Sequence, residues 1–277
     1  MTKGETRMRH PERRLLISVD MERYSRRGNL QQYEAQQDFR RLLHEAAALV
    51  GLDRTQWRTQ QAGDGELAIL PREVPEARII GRFVPELNRR LRRYNDSRVA
   101  AARIRLRVAV HEGLVHLDGA NGFPGSAVVF VSRLCDAQPV RRALAAFPDA
   151  GVALVVSDGI YRDVVCEYPE EMRPERFRRV LVSQPDKGFE AAAWLHVVDE
   201  DMSSLPREDA GPADSVHPAG GVESAPTGRP NPSPGSGDAG IRIGSLQVRG
   251  QNAVGTNATA IGSVGRDVAA GRDGGDR

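Results

Sequence analysis

Apolar and polar positions follow several rhythms along this chain, and each rhythm predicts an element. Residues 12–20 (Glu-Arg-Arg-Leu-Leu-Ile-Ser-Val-Asp) are a β-branched and leucine run that ends on an acid, as a buried strand ends at a loop. From Asn29 to Val50, the residues Leu30, Tyr33, Leu42, Leu43, Ala46 and Leu49 recur near a 3.6-residue period behind an Asn in the cap position, which predicts a helix. Two β-like runs, 56–62 and 66–70, flank Gly63-Asp64-Gly65, whose composition is that of a hairpin turn. Ile79, Ile80, Phe83, Val84, Leu87 and Leu91 then make one helical stripe, with Arg89, Arg90, Arg92 and Arg93 on the opposite face.

The next segment alternates: Ile104, Leu106, Val108 and Val110 on one side, Arg103, Arg105 and Arg107 on the other. It predicts a strand with one buried face and one solvated face. A further short strand is expected at 114–117. The glycine-rich loop Gly119–Gly125 leads into a helix over 126–147, bent or broken near Pro139. A strand at 152–156, a short helix at 159–165 and strands at 179–183 and 191–197 complete the pattern. Strands and helices interleave throughout, which predicts an α/β (α+β) sandwich with a mainly antiparallel sheet and helices packed on it.

Composition places the boundary of that body. All fourteen Phe, Trp and Tyr residues fall before position 200, whereas residues 201–277 hold 15 of the 28 glycines and 7 of the 17 prolines. A core therefore has to come from the first 200 residues, a length sufficient without disulfide or metal staples. The formal charge is +4 before residue 200 and −2 after it, so neither part points to a nucleic-acid partner. The arginine cluster Arg89, Arg90, Arg92, Arg93, Arg103, Arg105 and Arg107 reads as a solvated face, because it lacks interleaved aromatics beyond Tyr94. Cys135 and Cys166 stand in apolar stretches and are expected to be buried thiols, and His44, His111, His116 and His196 lack metal-ligand spacing. No apolar run approaches the roughly 20 residues of a bilayer span, so no membrane partner and a soluble, cytoplasmic protein are expected.

Candidate chemistry concentrates on Asp20, at the end of the first strand, and Asp64, at the tip of the first hairpin. If those strands are neighbours, the two carboxylates reach one sheet edge. Hard oxygen ligands of this kind favour Mg²⁺ or Mn²⁺, and a pair of such ions can serve phosphoryl transfer. An Asp-Gly turn alone is equally what any hairpin would use.

Four segments carry a resemblance. Leu16-Ile17-Ser18-Val19-Asp20-Met21-Glu22-Arg23-Tyr24-Ser25 resembles the first metal motif of the class III nucleotidyl (adenylate/guanylate) cyclases, and Ala62-Gly63-Asp64-Gly65-Glu66 resembles the second. The stretch from Arg105 to Gly113 resembles the family's following strand, and Gly125 to Leu134 its Gly-x-x-Val-Asn-x-Ala-x-Arg-Leu helix. The match runs in order from about Arg14 to Val197. It implies a ferredoxin-like, palm-type cyclase homology domain over 14–198, preceded by a segment at 1–13. It further implies a nucleoside triphosphate as ligand, Mg²⁺ or Mn²⁺ (two ions if catalytic) on Asp20, Asp64 and the Met21 carbonyl, and a head-to-tail homodimer. Met21, Glu22, Arg23, Tyr24 and Ser25 would line the triphosphate. Arg133 would stabilise charge on the α-phosphate, and Lys187 would bind phosphate.

The departures fall on the other half of the family's site. Val129 stands where the family's ribose-orienting Asn is expected, four residues before Arg133. Gln60 replaces the adenine-reading Lys, and Gly122 aligns with its partner acid. The resemblance thus leaves open a cyclase with altered base choice, a nucleotide sensor without turnover, and a non-catalytic dimeric interaction module.

Beyond the body, residues 199–240 read as a linker, with 20 Gly, Pro and Ser in positions 201–240. Residues 241–268 instead repeat short aliphatic pieces between glycines, with Ile-Gly-Ser occurring twice, and 269–277 form a polar end. The 241–268 segment is similar to the short amyloid-type signalling motifs of bacterial immune and cell-death proteins, which implies a signalling partner with a like motif.

Overall fold

The computed structural model describes residues 10–205. The expected segments at 241–268 and 269–277, most of the linker and most of the segment at 1–13 lie outside the described residues. The first residues of that linker belong to the body: Met202 is buried, and the Leu205 carbonyl accepts a hydrogen bond from Arg178.

Seven strands form one sheet. They are β1 (Glu12–Met21), β2 (Arg58–Ala62), β3 (Gly65–Ile69), β4 (Leu106–Val115), β5 (Val152–Ser157), β6 (Arg178–Gln184) and β7 (Phe189–Val197), in the spatial order β2-β3-β1-β4-β5-β7-β6. Every neighbouring pair is antiparallel except β4 and β5. That one parallel pair requires a crossover, which α4 (Ser126–Cys135) and α5 (Gln138–Ala146) supply. The mainly antiparallel α+β architecture expected from the sequence is the one observed.

Both faces of the sheet are covered. On one face, α1 (Asn29–Leu49) and α3 (Val84–Asn95) pack on Ile17, Val19, Leu106, Val108 and Leu154, with a short α2 (Glu76–Arg78) and a π turn (Ile79–Phe83) leading into α3. On the other, α4 and α5 pack on Leu16, Ile69, Ala109, Ala153 and Val155. Gly113 permits α4 to sit close on β4, since a Cβ there would lie 2.6 Å from the Ala127 Cβ. Asn88 on α3 is fully buried and accepts from the N–H groups of Gly151 and Val152 while donating to Asp199, which pins α3 to the start of β5.

Coverage of the second face overturns one expectation. The alternation in β4 assigned sides correctly, but the arginine side meets α4 and α5 and not water, so Arg105 and Arg107 are buried. In α1 the buried stripe is Ala35, Phe39, Leu42, Leu43, Ala46 and Ala47, whereas Leu30, Tyr33 and Leu49 are exposed. The helix is capped at Gly28, not Asn29, with the Gln31 side chain accepting the Gly28 N–H. The strand expected at 114–117 is the tail of β4, which runs unbroken to Val115. The break near Pro139 is real and separates α4 from α5. Cys135 is buried, but Cys166 is exposed after a short π turn at Tyr161–Val165. Among the described residues no helix is long and apolar enough to cross a membrane.

His196, on β7, is buried, and that burial, aided by Arg176, pushes its pKa from the ordinary 6.5 down to about 4. Between those values the unfolded chain binds a proton that the folded chain refuses, so stability is full above pH 6.5 and is lost as pH falls toward 4. The expected size is about 3 kcal/mol. Melting temperature measured from pH 7 to 4 should fall less in His196→Gln than in the parent, and identical profiles would refute the assignment.

Candidate functional site

The hairpin and the first strand bring Asp20 and Asp64 to one corner. In the β1–β3 register Asp20 faces Gly65, and the Met21 N–H donates to the Asp64 carbonyl at 2.8 Å. The close approach depends on Gly65, where a Cβ would lie 2.1 Å from the Val19 carbonyl oxygen. Behind the hairpin tip, the Gln36 amide of α1 donates to the Tyr24 hydroxyl at 2.7 Å and to the Gly63 carbonyl at 2.8 Å. Tyr24, Gln36 and Gly63 thereby tie the 21–25 loop, α1 and the hairpin together.

A buried arginine, which the sequence pattern assigned to a solvated face, completes this corner. Arg107 lies directly opposite Asp20 in the β1–β4 register, on the α4 side of the sheet, and its guanidinium pairs with the Asp20 carboxylate. Arg107 is 6% exposed, and burial lowers its pKa, although a guanidinium stays charged at any physiological pH. The strand alternation contained the signal, since it placed Arg107 and Asp20 on strands that could be neighbours. Next to it, Arg105 bonds to the Glu22 carboxylate at 3.1 Å and to the carbonyls of Leu144, Phe147 and Ala150 at the end of α5.

These bonds narrow what the 21–25 loop can offer a ligand. The Met21 N–H is spent on Asp64, the Glu22 N–H on the Arg105 carbonyl at 2.9 Å, and the Glu22 carboxylate on Arg105. The N–H groups of Arg23, Tyr24 and Ser25 stand at the start of the 3-10 turn Tyr24–Arg26, where helical donors lack intrahelical acceptors. Arg23 adopts a left-handed conformation (φ 57°) at the start of that turn. Among the described residues no group of three or more His, Cys, Asp or Glu could hold a metal, so the hard-oxygen donors at this corner are Asp20, Asp64 and backbone carbonyls.

The remaining candidates lie elsewhere. Gln60, on the exposed edge strand β2, packs against Gly122, where a Cβ would lie 2.4 Å from its amide oxygen. Gly122 has φ +94°, so the position suits glycine and its lost side chain leaves the volume to Gln60. Arg133 and Val129 share one face of α4, and Val129 is 48% exposed. The Arg133 guanidinium lies 5.0 Å from the ring centre of Phe189, the first residue of β7. Lys187 sits two residues earlier, exposed in the β6–β7 turn. Arg133 and Lys187 thus share a second corner.

Phe189, on which the Arg133 guanidinium rests, is distant from Asp20 across the sheet. The registers align Asp20 with Arg107, Ala153 and then Val197, three strand spacings away, and Phe189 is eight residues further down β7. Spacings of about 4.8 Å across and 3.3 Å along the strands put the Phe189 backbone roughly 14 Å by 26 Å from Asp20, whereas Arg133 itself stands nearer, two residues before Cys135, whose thiol touches the Ser18 and Arg107 carbonyls.

No protein-family model matches the chain, and no curated protein matches it. Solved structures similar to it include an adenylate/guanylate cyclase/hydrolase from Silicibacter pomeroyi, at 23% identity and a TM-score of 0.46, over 68% of this chain and 99% of that one. They also include the guanylate cyclase domain of a protein from Catenaria anguillulae in complex with GTP, at 16% identity and a TM-score of 0.43, over 68% and 97%. An adenylyl cyclase from P. aeruginosa is similar at 12% identity and a TM-score of 0.43, over 69% and 97%.

Proposed function

We propose that this chain is a divergent class III nucleotidyl cyclase-like protein that binds a nucleoside triphosphate across a head-to-tail homodimer and converts it slowly to a cyclic nucleotide. The observation that carries the reading is the strand register that sets Asp20 beside the Asp64 hairpin at one sheet edge. Asp20 and the Asp64 hairpin meet there, while the Arg133 guanidinium turns away from them to Phe189, beside Lys187, and so is free to face the aspartates of another chain. A second copy, turned head to tail, offers its Arg133 corner to the first copy's aspartates.

Each group then has a chemical task. Two carboxylates and backbone oxygens suit Mg²⁺ or Mn²⁺, which would neutralise phosphate charge when bound. Arg107 already balances Asp20, so the two carboxylates would attract a cation weakly and hold it only together with the nucleotide. The N–H groups of Arg23, Tyr24 and Ser25, at the start of the Tyr24–Arg26 turn, would bind phosphate oxygens. Arg133 stabilises the charge that builds on the α-phosphate as the 3′-hydroxyl attacks and pyrophosphate leaves. Gln60 both donates and accepts, which leaves base choice open to any of the four.

Val129 cannot orient the ribose, and losing one oriented polar contact of this kind costs about 10²- to 10³-fold in rate. The test is incubation with Mn²⁺ and each of the four triphosphates. A slow cyclic product from at least one, abolished in Asp64→Ala and in Arg133→Ala, is expected. Mn²⁺ alone should leave the melting temperature unchanged, whereas Mn²⁺ with the accepted triphosphate should raise it. Absence of both product and shift with all four would sink the reading.

A further inference from the structure

Arg133 has no carboxylate partner among the described residues, yet its guanidinium is not loose. It lies over the Phe189 ring at 5.0 Å. Phe189 meets Phe130 edge-on, with ring centres 5.4 Å apart at 75°, and Phe130 in turn lies on the His111 ring at 4.3 Å. These four side chains connect β4, α4 and β7 in one stack, half-buried at the second core. His111 stays neutral there, because burial, with Arg13, pushes its pKa down to about 4. The base of the stack therefore carries no charge at neutral pH.

The arrangement matters because of what α4 lacks. A flexible arginine side chain has to be held before it can act on a developing charge, and much of its benefit is lost if it is free to turn away. Val129, one helical turn before Arg133, offers no hydrogen bond. An aromatic face attracts a guanidinium and limits its range without consuming any of its donors. Phe189 also follows Gly188, whose φ of +56° closes the turn bearing Lys187, so the ring under Arg133 lies two residues along the chain from the second cation.

We propose that Phe189 is a positioning residue for Arg133, holding its guanidinium over the ring so that its five N–H groups point outward to the ligand beside Lys187. The rate readout rests on the cyclase reading, whereas the ring contact does not. The experiment uses the full chain with ¹⁵N-labelled arginine, in which the Arg133 Hε signal is identified by its loss in Arg133→Lys. That signal should be shifted upfield by the ring in the parent and in Phe189→Tyr, and should return to the ordinary arginine position in Phe189→Leu. With Mn²⁺ and the accepted triphosphate, Phe189→Leu should lose roughly tenfold in kcat with little change in KM, and Phe189→Tyr should recover it.

An unshifted Hε in the parent overturns the proposal, as does a Phe189→Leu protein that keeps its kcat. If Phe189→Leu does not fold, Phe130→Leu, which removes the edge contact orienting the Phe189 ring, is measured in the same two ways. A parent that makes no product and binds no triphosphate removes the cyclase reading, and the Hε position then decides alone whether Phe189 holds Arg133.

Discussion

Arg105→Ala is expected to destabilise the protein by about 4 kcal/mol, because the substitution strands several buried groups at once. Arg105 is 9% exposed and donates to the carbonyls of Leu144, Phe147 and Ala150, so it terminates α5 where the helix presents its negative end. The same side chain neutralises Glu22, itself largely buried. Alanine would leave the three carbonyls and a carboxylate without this donor. Lysine keeps the charge but not the planar fork, so Arg105→Lys should recover roughly half of the loss. Urea unfolding midpoints would measure both, and a cost below about 1 kcal/mol for alanine would show that the network is dispensable.

The second expected effect separates the two aspartates. Asp20→Asn removes the partner of a buried guanidinium, a loss of about 3 kcal/mol in stability. Asp64→Asn should stay within about 0.5 kcal/mol, because the Asp64 side chain sits at the hairpin tip without a protein partner among the described residues. In the proposed function both changes abolish nucleotide turnover. Unfolding and activity measured on the same preparations would therefore give two inactive proteins, of which only one is destabilised. Equal stability losses would mean that Arg107 does not depend on Asp20. It follows that Asp64→Ala is the cleaner test of the chemistry, and that Asp20→Ala needs a check of its fold.

Much of this fold is legible in the sequence, because periodicity is a local property. The Gly63-Asp64-Gly65 turn, the alternation of β4 and the break near Pro139 all lie where the chain's own pattern places them. What periodicity does not contain is the cover. It puts Arg105 and Arg107 on the side away from Leu106 and Val108, but only the packing of α4 and α5 makes that side an interior. Leu30 and Tyr33 fit a helical period and are nevertheless exposed, since the sheet lies under Phe39 and Leu43 and does not reach the first turn. Cys166 stands in an apolar stretch and is exposed because the π turn before it rotates it outward. The candidate site divides in the same way. Asp20 and Asp64 each end a locally patterned element, a strand and a hairpin turn, whereas the Asp20–Arg107 and Arg133–Phe189 contacts join residues 87 and 56 positions apart that no local pattern pairs.

The β1–β4 pairing has a consequence for how the molecule is made. Glu12 meets Val115 and Met21 meets Leu106, so β1, once synthesised, cannot find its central neighbour until about 90 more residues have followed. At 5–20 residues per second, that is a wait of roughly 5–20 seconds. During it, β3 and α1 arrive early enough to shelter one edge and one face of β1, while the other edge stays open to chance partners. Synthesis at low temperature or with a trigger-type chaperone should favour recovery of native protein, because both protect a strand whose mate has not yet been translated.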